Sequence, residues 1–109
     1  MAARNLHEDM YTYRKYCEMD DDGNRYEIID GVPYMMAAPF IQHQRILGRI
    51  YGRLFNYLQG KQCEVFMSPL DVRLAIYGKV GDEAINVVQP DLMVFCDRNK
   101  CGANVRVDV

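Results

Sequence analysis

The chain has 109 residues, of which 50% are hydrophobic and 26% charged, and these values are typical of one soluble globular domain. A formal net charge of −2 and a pI near 5.6 exclude a protein that coats nucleic acid through bulk positive charge, so any nucleic-acid site has to be a local patch. No apolar run approaches the roughly 18 residues of a membrane helix, and the polar N-terminus lacks the apolar core of a signal peptide. We therefore expect a cytoplasmic protein with no membrane segment, folded as one domain over residues 1–109.

The N-terminal third predicts a short helix and then a β-hairpin. Thr12 is placed to cap a helix that runs through Cys17. Residues 25–29 and 32–36 are rich in strand-forming side chains, and they are separated by Asp30-Gly31. This pair supplies the positive φ angles of a type I′ turn, so it predicts two antiparallel strands joined by two residues.

Residues 40–59 predict one long amphipathic helix. Pro39 suits its first turn, and Gly60 suits its C-terminal cap. The period of the apolar residues is helical, and they fall on one arc: His43, Ile46, Leu47, Ile50, Tyr51, Leu54, Phe55 and Leu58.

Three arginines line the opposite arc of this helix, at Arg45, Arg49 and Arg53. Such a row is most often only the solvated side of an amphipathic helix, although it could also meet DNA phosphates. Gly48 and Gly52 beside the row lower the helix propensity, which indicates a close approach of another backbone or of DNA. The sequence leaves both interpretations open.

The remainder of the chain predicts strands. A loop over residues 77–83 contains two glycines, and Pro90-Asp91 marks the start of a nearly continuous apolar strand that is typical of burial on both faces. The predicted strands cover residues 63–67, 71–76, 84–88, 92–96 and 105–109.

The four cysteines show no spacing typical of a zinc site or of a disulfide framework. Cys17, Cys63, Cys96 and Cys101 include no C-x-x-C pair, and only two histidines accompany them. We expect reduced thiols that pack as small hydrophobic side chains.

Several of these residues resemble a known family. They are residues 25–31 of the hairpin, Met35-Met36 at its end, His43 at the start of the helix, and residues 89–94, which read Gln-Pro-Asp-Leu-Met-Val. Their order and spacing over roughly residues 11–96 are similar to the bacterial "putative restriction endonuclease" family of the PD-(D/E)xK superfamily. The resemblance implies an α/β (α+β) restriction-endonuclease-like fold, in which an N-terminal hairpin and one long amphipathic helix accompany a mixed sheet.

The resemblance also implies a metal-dependent nuclease whose first acidic ligand is Asp91. Carboxylate oxygens hold Mg²⁺ or Mn²⁺, which polarises the phosphate and activates water. The family places a Glu-x-Lys or Glu-x-Gln on the following strand, but Val105–Val109 contains neither. We therefore expect a C-terminally truncated domain that lacks its last strand and helices, binds metal only when intact, and is itself incomplete or inactive.

Glu27 and His43 are the other candidate site residues. The resemblance implies that Glu27 on the hairpin faces the cleft as a second metal or water ligand, whereas strand alternation is equally compatible with solvent exposure. His43 lies on the apolar arc, where a lone histidine is more often a hydrogen-bonded core residue. Its place in the first helical turn also allows it to point toward Asp91 and act on phosphate or water. For Asp91 itself, the alternative is a turn residue that caps a backbone amide after Pro90.

Two functions from different classes fit these observations. The first is a metal-dependent DNA endonuclease with Asp91 as metal ligand, and the second is a non-enzymatic interaction module that keeps the nuclease fold. An open sheet edge beside residues 92–96 would recruit other chains, so we expect a homo-oligomer. Either residues 105–109 pair back on their own sheet, or the open edge pairs with a second copy.

Overall fold

The structure, a computed structural model, describes residues 10–97, 99 and 106–109. Cys101 and Val105 lie outside these residues. Within the described part, the helices are α1 (Tyr13–Glu18) and α2 (Ile41–Tyr57), with a 3-10 turn at Gly81–Glu83. The strands are β1 (Tyr26–Ile29), β2 (Val32–Met35), β3 (Glu64–Met67), β4 (Asp71–Arg73), β5 (Val87–Val88), β6 (Leu92–Phe95) and β7 (Arg106–Asp108).

The strands form two sheets. A five-stranded mixed sheet has the order β2-β1-β5-β4-β7, and β3 and β6 make a separate antiparallel pair. The α+β class with an N-terminal hairpin, a mixed sheet and one long helix is therefore confirmed. The chain divides into two compact units, and it passes from one to the other at residues 36–37, 72–73, 88–89 and 107–108. The first holds described residues 10–36, 73–88 and 108–109, and the second holds the others.

The first unit is built on the predicted hairpin. β1 and β2 pair with Ile29 opposite Val32, and the turn residues Asp30 and Gly31 have φ angles of 48° and 79°. Both angles are in the left-handed region that a type I′ turn requires. On β1, Ile28 is fully buried against Val87 and Tyr13, and these three side chains form the core of the unit.

A buried amide fixes the hairpin turn to the rest of this unit. The Asn86 side chain is 3% exposed, and its Oδ1 accepts a hydrogen bond of 2.9 Å from the backbone N–H of Asp30. Its Nδ2 donates to the Asp30 carboxylate at 3.3 Å. These bonds satisfy polar groups that burial would otherwise penalise.

The C-terminal strand pairs with its own sheet. Val109 N donates to Arg73 O at 2.9 Å, and Ala75 N donates to Val109 O at 2.8 Å. The buried Arg73 guanidinium donates to both carboxylate oxygens of Asp108 and also pairs with Asp82. The hydrogen bonds and charge of Asp108 raise the pKa of Arg73. Residues 106–109 thus pair with β4 in the five-stranded sheet and not beside residues 92–96, while homo-oligomerisation stays a prediction.

The second unit contains the long helix. The predicted helix over residues 40–59 is confirmed with shorter ends, at Ile41 and Tyr57, and Gly60 follows with a φ of 73°. The helix packs against β3 through its least exposed arc. Two predicted strands are shorter than expected: residues 74–76 and 84–86 lie outside the regular strands, although several of their backbone groups still hydrogen-bond to neighbouring segments. In the described part of the chain, neither helix has the length and apolarity that crossing a bilayer requires.

Candidate functional site

Asp91 directly precedes β6. Its backbone is hydrogen-bonded and its side chain is exposed to solvent. The Asp91 carbonyl accepts a hydrogen bond of 3.2 Å from Ser68 N, which directly follows β3. This bond continues the β3–β6 ladder by one step beyond the Met67–Leu92 pair. The side chain is 59% exposed. The ladder therefore fixes the position of the carboxylate while solvent can reach it.

His43 meets this carboxylate from the first turn of α2. Its Nε2 lies 3.0 Å from Asp91 Oδ2, although the two residues are 48 positions apart in the sequence. The His43 side chain is 36% exposed, and its Nδ1 is buried without a hydrogen-bond partner among the described residues. A protonated imidazole donates to the carboxylate as an ion pair, and the neutral ring makes the same bond when its proton is on Nε2.

The start of α2 also favours a carboxylate near it. The helix has no acidic residue in its first turn, and its N-cap residue, Phe40, makes no side-chain capping bond. The first backbone N–H groups of a helix carry partial positive charge and lack intrahelical partners. The Asp91 carboxylate contacts the first turn through His43, the third residue of the helix.

The 3.0 Å contact has the length of an ordinary hydrogen bond, and it is also close to the spacing of neighbouring ligands on a small divalent ion. Ligands about 2.1 Å from an octahedral ion are separated by roughly 3.0 Å when they occupy adjacent positions. The Nε2–Oδ2 distance of 3.0 Å matches this value. Imidazole and carboxylate together suit Mn²⁺ better than Mg²⁺, which prefers oxygen. Among the described residues, no group of three His, Cys, Asp or Glu side chains is arranged to hold a metal.

A comparison with protein-family models matches residues 10–107 to Uma2, whose description is "Putative restriction endonuclease". The chain belongs to the Uma2 family. No curated protein matches it. The match spans both compact units and includes each of the three candidate site residues, Glu27, His43 and Asp91.

Glu27 is the third candidate of this Uma2 chain. It lies in the first compact unit, whereas His43 and Asp91 lie in the second. It is on β1 opposite Tyr34 and is half-buried. Because side chains alternate along a strand, Glu27 is on one face of β1 and Ile28, which is fully buried, is on the other. Its role as a metal or water ligand stays a prediction.

Sequence reasoning did not identify the hydrogen-bonded pair of Gln89 and Asp71 as support for Asp91. Gln89 is 7% exposed and donates through Nε2 to Asp71 Oδ1 at 2.8 Å. Gln89 belongs to the Gln-Pro-Asp segment that carries the family resemblance, but Asp71 showed no signal beyond the start of a predicted strand. A buried amide bonded to a carboxylate is well suited to fix the backbone two residues before Asp91.

The interpretation of the cysteines as reduced thiols is wrong for two of them. Cys63 and Cys96 form a disulfide, whereas Cys17 is free and exposed. Cys63 precedes β3 and Cys96 follows β6, so the bond closes the end of the ladder that is remote from Asp91. Nearby, Gln62 Nε2 donates to Cys96 O at 2.9 Å. The available signal was that the two cysteines are end residues of the predicted strands 63–67 and 92–96, and strand register decides whether such positions meet.

Proposed function

We propose that this Uma2-family chain supplies Asp91 and His43 to the site of a divalent-metal-dependent DNA endonuclease. The observation that carries the proposal is the 3.0 Å contact between His43 Nε2 and Asp91 Oδ2. It brings together a carboxylate and an imidazole from distant parts of the chain at a surface that solvent reaches. The family description supports nuclease activity as the context for this pair.

Asp91 is the principal ligand in this proposal. Its carboxylate is anchored through the backbone by Ser68 and is open to solvent, so it can bind an ion without rearrangement of the ladder. A Mg²⁺ or Mn²⁺ ion held by Asp91 would supply polarisation of a phosphate oxygen and a lower pKa for bound water. His43 either takes an adjacent ligand position as the neutral ring or, when protonated, directs its charge to the phosphate. Glu27 is a further candidate ligand, as the resemblance implies.

Metal binding tests the proposal without requiring hydrolysis. In calorimetric titrations with Mn²⁺ and Mg²⁺, Asp91→Asn should abolish the binding heat, and His43→Gln should weaken binding of Mn²⁺ more than of Mg²⁺. Asp20→Asn is the matched control, because Asp20 is an exposed carboxylate outside the site. Equal heats for the Asp91→Asn variant and the unmodified chain would refute the assignment.

The non-enzymatic interaction module is the second candidate. It is favoured by the finding that the described residues bring only two metal-binding side chains together. Incubation of the chain with plasmid DNA and Mn²⁺ separates the two candidates. Cleavage that is lost in Asp91→Asn and kept in Asp20→Asn supports the endonuclease, whereas metal binding with no cleavage supports the module.

A further inference from the structure

Helix α2 carries positive charge that nothing within the helix balances. Residues 41–57 include three arginines and no aspartate or glutamate. Arg45, Arg49 and Arg53 are all exposed, and they are here called the arginine row. In a chain whose formal net charge is −2, this is a local concentration of cations on a single element.

The arginine row is straight enough to follow a line of negative charges. Successive members are four residues apart, so each is displaced by about 6 Å along the helix and by only about 40° around it. The whole row is about 12 Å long, which corresponds to three or four phosphates of one strand at about 3.4 Å each along a duplex axis.

The members of the arginine row also differ from other arginines of the chain in their surroundings. Arg14 pairs with Glu83 at 2.9 Å, and Arg73 pairs with Asp108 and Asp82. Across residues 10–97, 99 and 106–109, no carboxylate or aromatic ring partners Arg45, Arg49 or Arg53. Their guanidinium groups therefore keep their full set of donors for an external ligand.

Two glycines leave open space beside the row. A Cβ built at Gly48 or at Gly52 would meet nothing within 4 Å, so neither glycine is required by internal packing. Both disfavour the helix relative to alanine. At 100° per residue they lie on the same side of α2 as the row. The helix backbone is thus accessible to a bulky partner between and beside the arginines.

We propose that the arginine row binds the phosphate backbone of double-stranded DNA. The choice of this polyanion rests on the proposed nuclease function, and the location rests on charge, exposure and spacing. Around the helix, His43 is about 160° from Arg45 and about 80° from Arg53. The row therefore contacts DNA phosphates other than the one that reacts. It contributes affinity, whereas Asp91 and His43 contribute the chemistry.

The test is the salt dependence of binding to a short labelled duplex, measured by fluorescence anisotropy in EDTA so that hydrolysis does not occur. Each phosphate neutralised contributes about 0.9 to the slope of log K against log salt concentration, so the variant Arg45→Gln/Arg49→Gln/Arg53→Gln should lose about 2.7. Glutamine has nearly the helix propensity of arginine, so the fold should persist, as circular dichroism will show.

Lys79→Gln is the matched control, because Lys79 is an exposed cation in a turn of the other unit. It should leave the slope unchanged. An unchanged slope in the triple variant, or a loss of about 0.9 in the single-site control, overturns the proposal. So does a triple variant that binds DNA normally but changes its oligomeric state, since the row would then contact a second copy of the chain.

The two proposals can fail separately. If the slope falls by about 2.7 and no cleavage is ever observed, the arginine row is established as a DNA surface and the endonuclease proposal fails. If cleavage depends on Asp91 while the slope is insensitive to the row, only the present inference fails.

Discussion

Removal of the disulfide between Cys63 and Cys96 should weaken the unit that holds Asp91. The bond closes a loop with a sequence separation of 33 residues. In the chain-entropy description, opening such a loop increases the entropy of the unfolded chain and lowers the free energy of unfolding by about 3.7 kcal/mol at 25 °C. A protein of this size is stable by only about 5–15 kcal/mol in total. The predicted loss is therefore a large part of the total free energy of unfolding.

The assay is urea denaturation of the unmodified chain with and without a dithiol reductant, beside the variant Cys63→Ser/Cys96→Ser. The reduced chain and the variant should unfold at the same lower urea concentration, with a slightly larger m-value because the unfolded state is less compact. The variant should not respond to the reductant, which controls for Cys17 and Cys101. An unfolding midpoint that is insensitive to the reductant would refute the reasoning.

Two further perturbations test the first unit. Asn86→Ala should destabilise the chain by about 1–3 kcal/mol, because the N–H of Asp30 then loses its buried acceptor; thermal unfolding measures this, and an unchanged melting temperature would contradict it. Tyr26→Phe should raise the pKa of Asp22 toward 3.8, because the phenol donates a hydrogen bond to that carboxylate and lowers its pKa. The folded-state pKa is depressed, so the stabilisation is present above pH 3.8 and is lost as the pH falls through the lower folded value. Carbon-detected NMR titration reports the shift, and identical Asp22 titrations in both proteins would count against this bond.

The elements that the sequence predicted well are those with local signals. The hairpin follows from Asp30-Gly31, since a type I′ turn needs two residues that tolerate positive φ. The long helix follows from the 3.6-residue period of its apolar arc. Element ends were less accurate, as shown by the strand predicted over residues 71–76, which ends at Arg73. Leu74 and Ala75 still donate backbone hydrogen bonds to Asn86 and Val109 before the chain turns at residues 77–78, and strand propensity does not report where a ladder becomes irregular.

The candidate site was predictable in part. Asp91 and His43 were selected through a resemblance, and the structure brings them within 3.0 Å of each other. The support for Asp91 was not selected, because Ser68 and Gln89 act through backbone and amide contacts that depend on neighbouring strands. Glu27 lies in a different unit of the chain, and its role stays a prediction.

The sequence alone determined the hairpin, the long helix, the arginine row and the position of Asp91 at the start of a strand, because turn chemistry and side-chain periodicity are properties of adjacent residues. Tertiary structure decided that Cys63 meets Cys96, that His43 meets Asp91, and that Arg45, Arg49 and Arg53 have no partner among the described residues. These outcomes depend on strand register and helix packing. Both are set by the combined burial of many distant side chains, so no local segment encodes them.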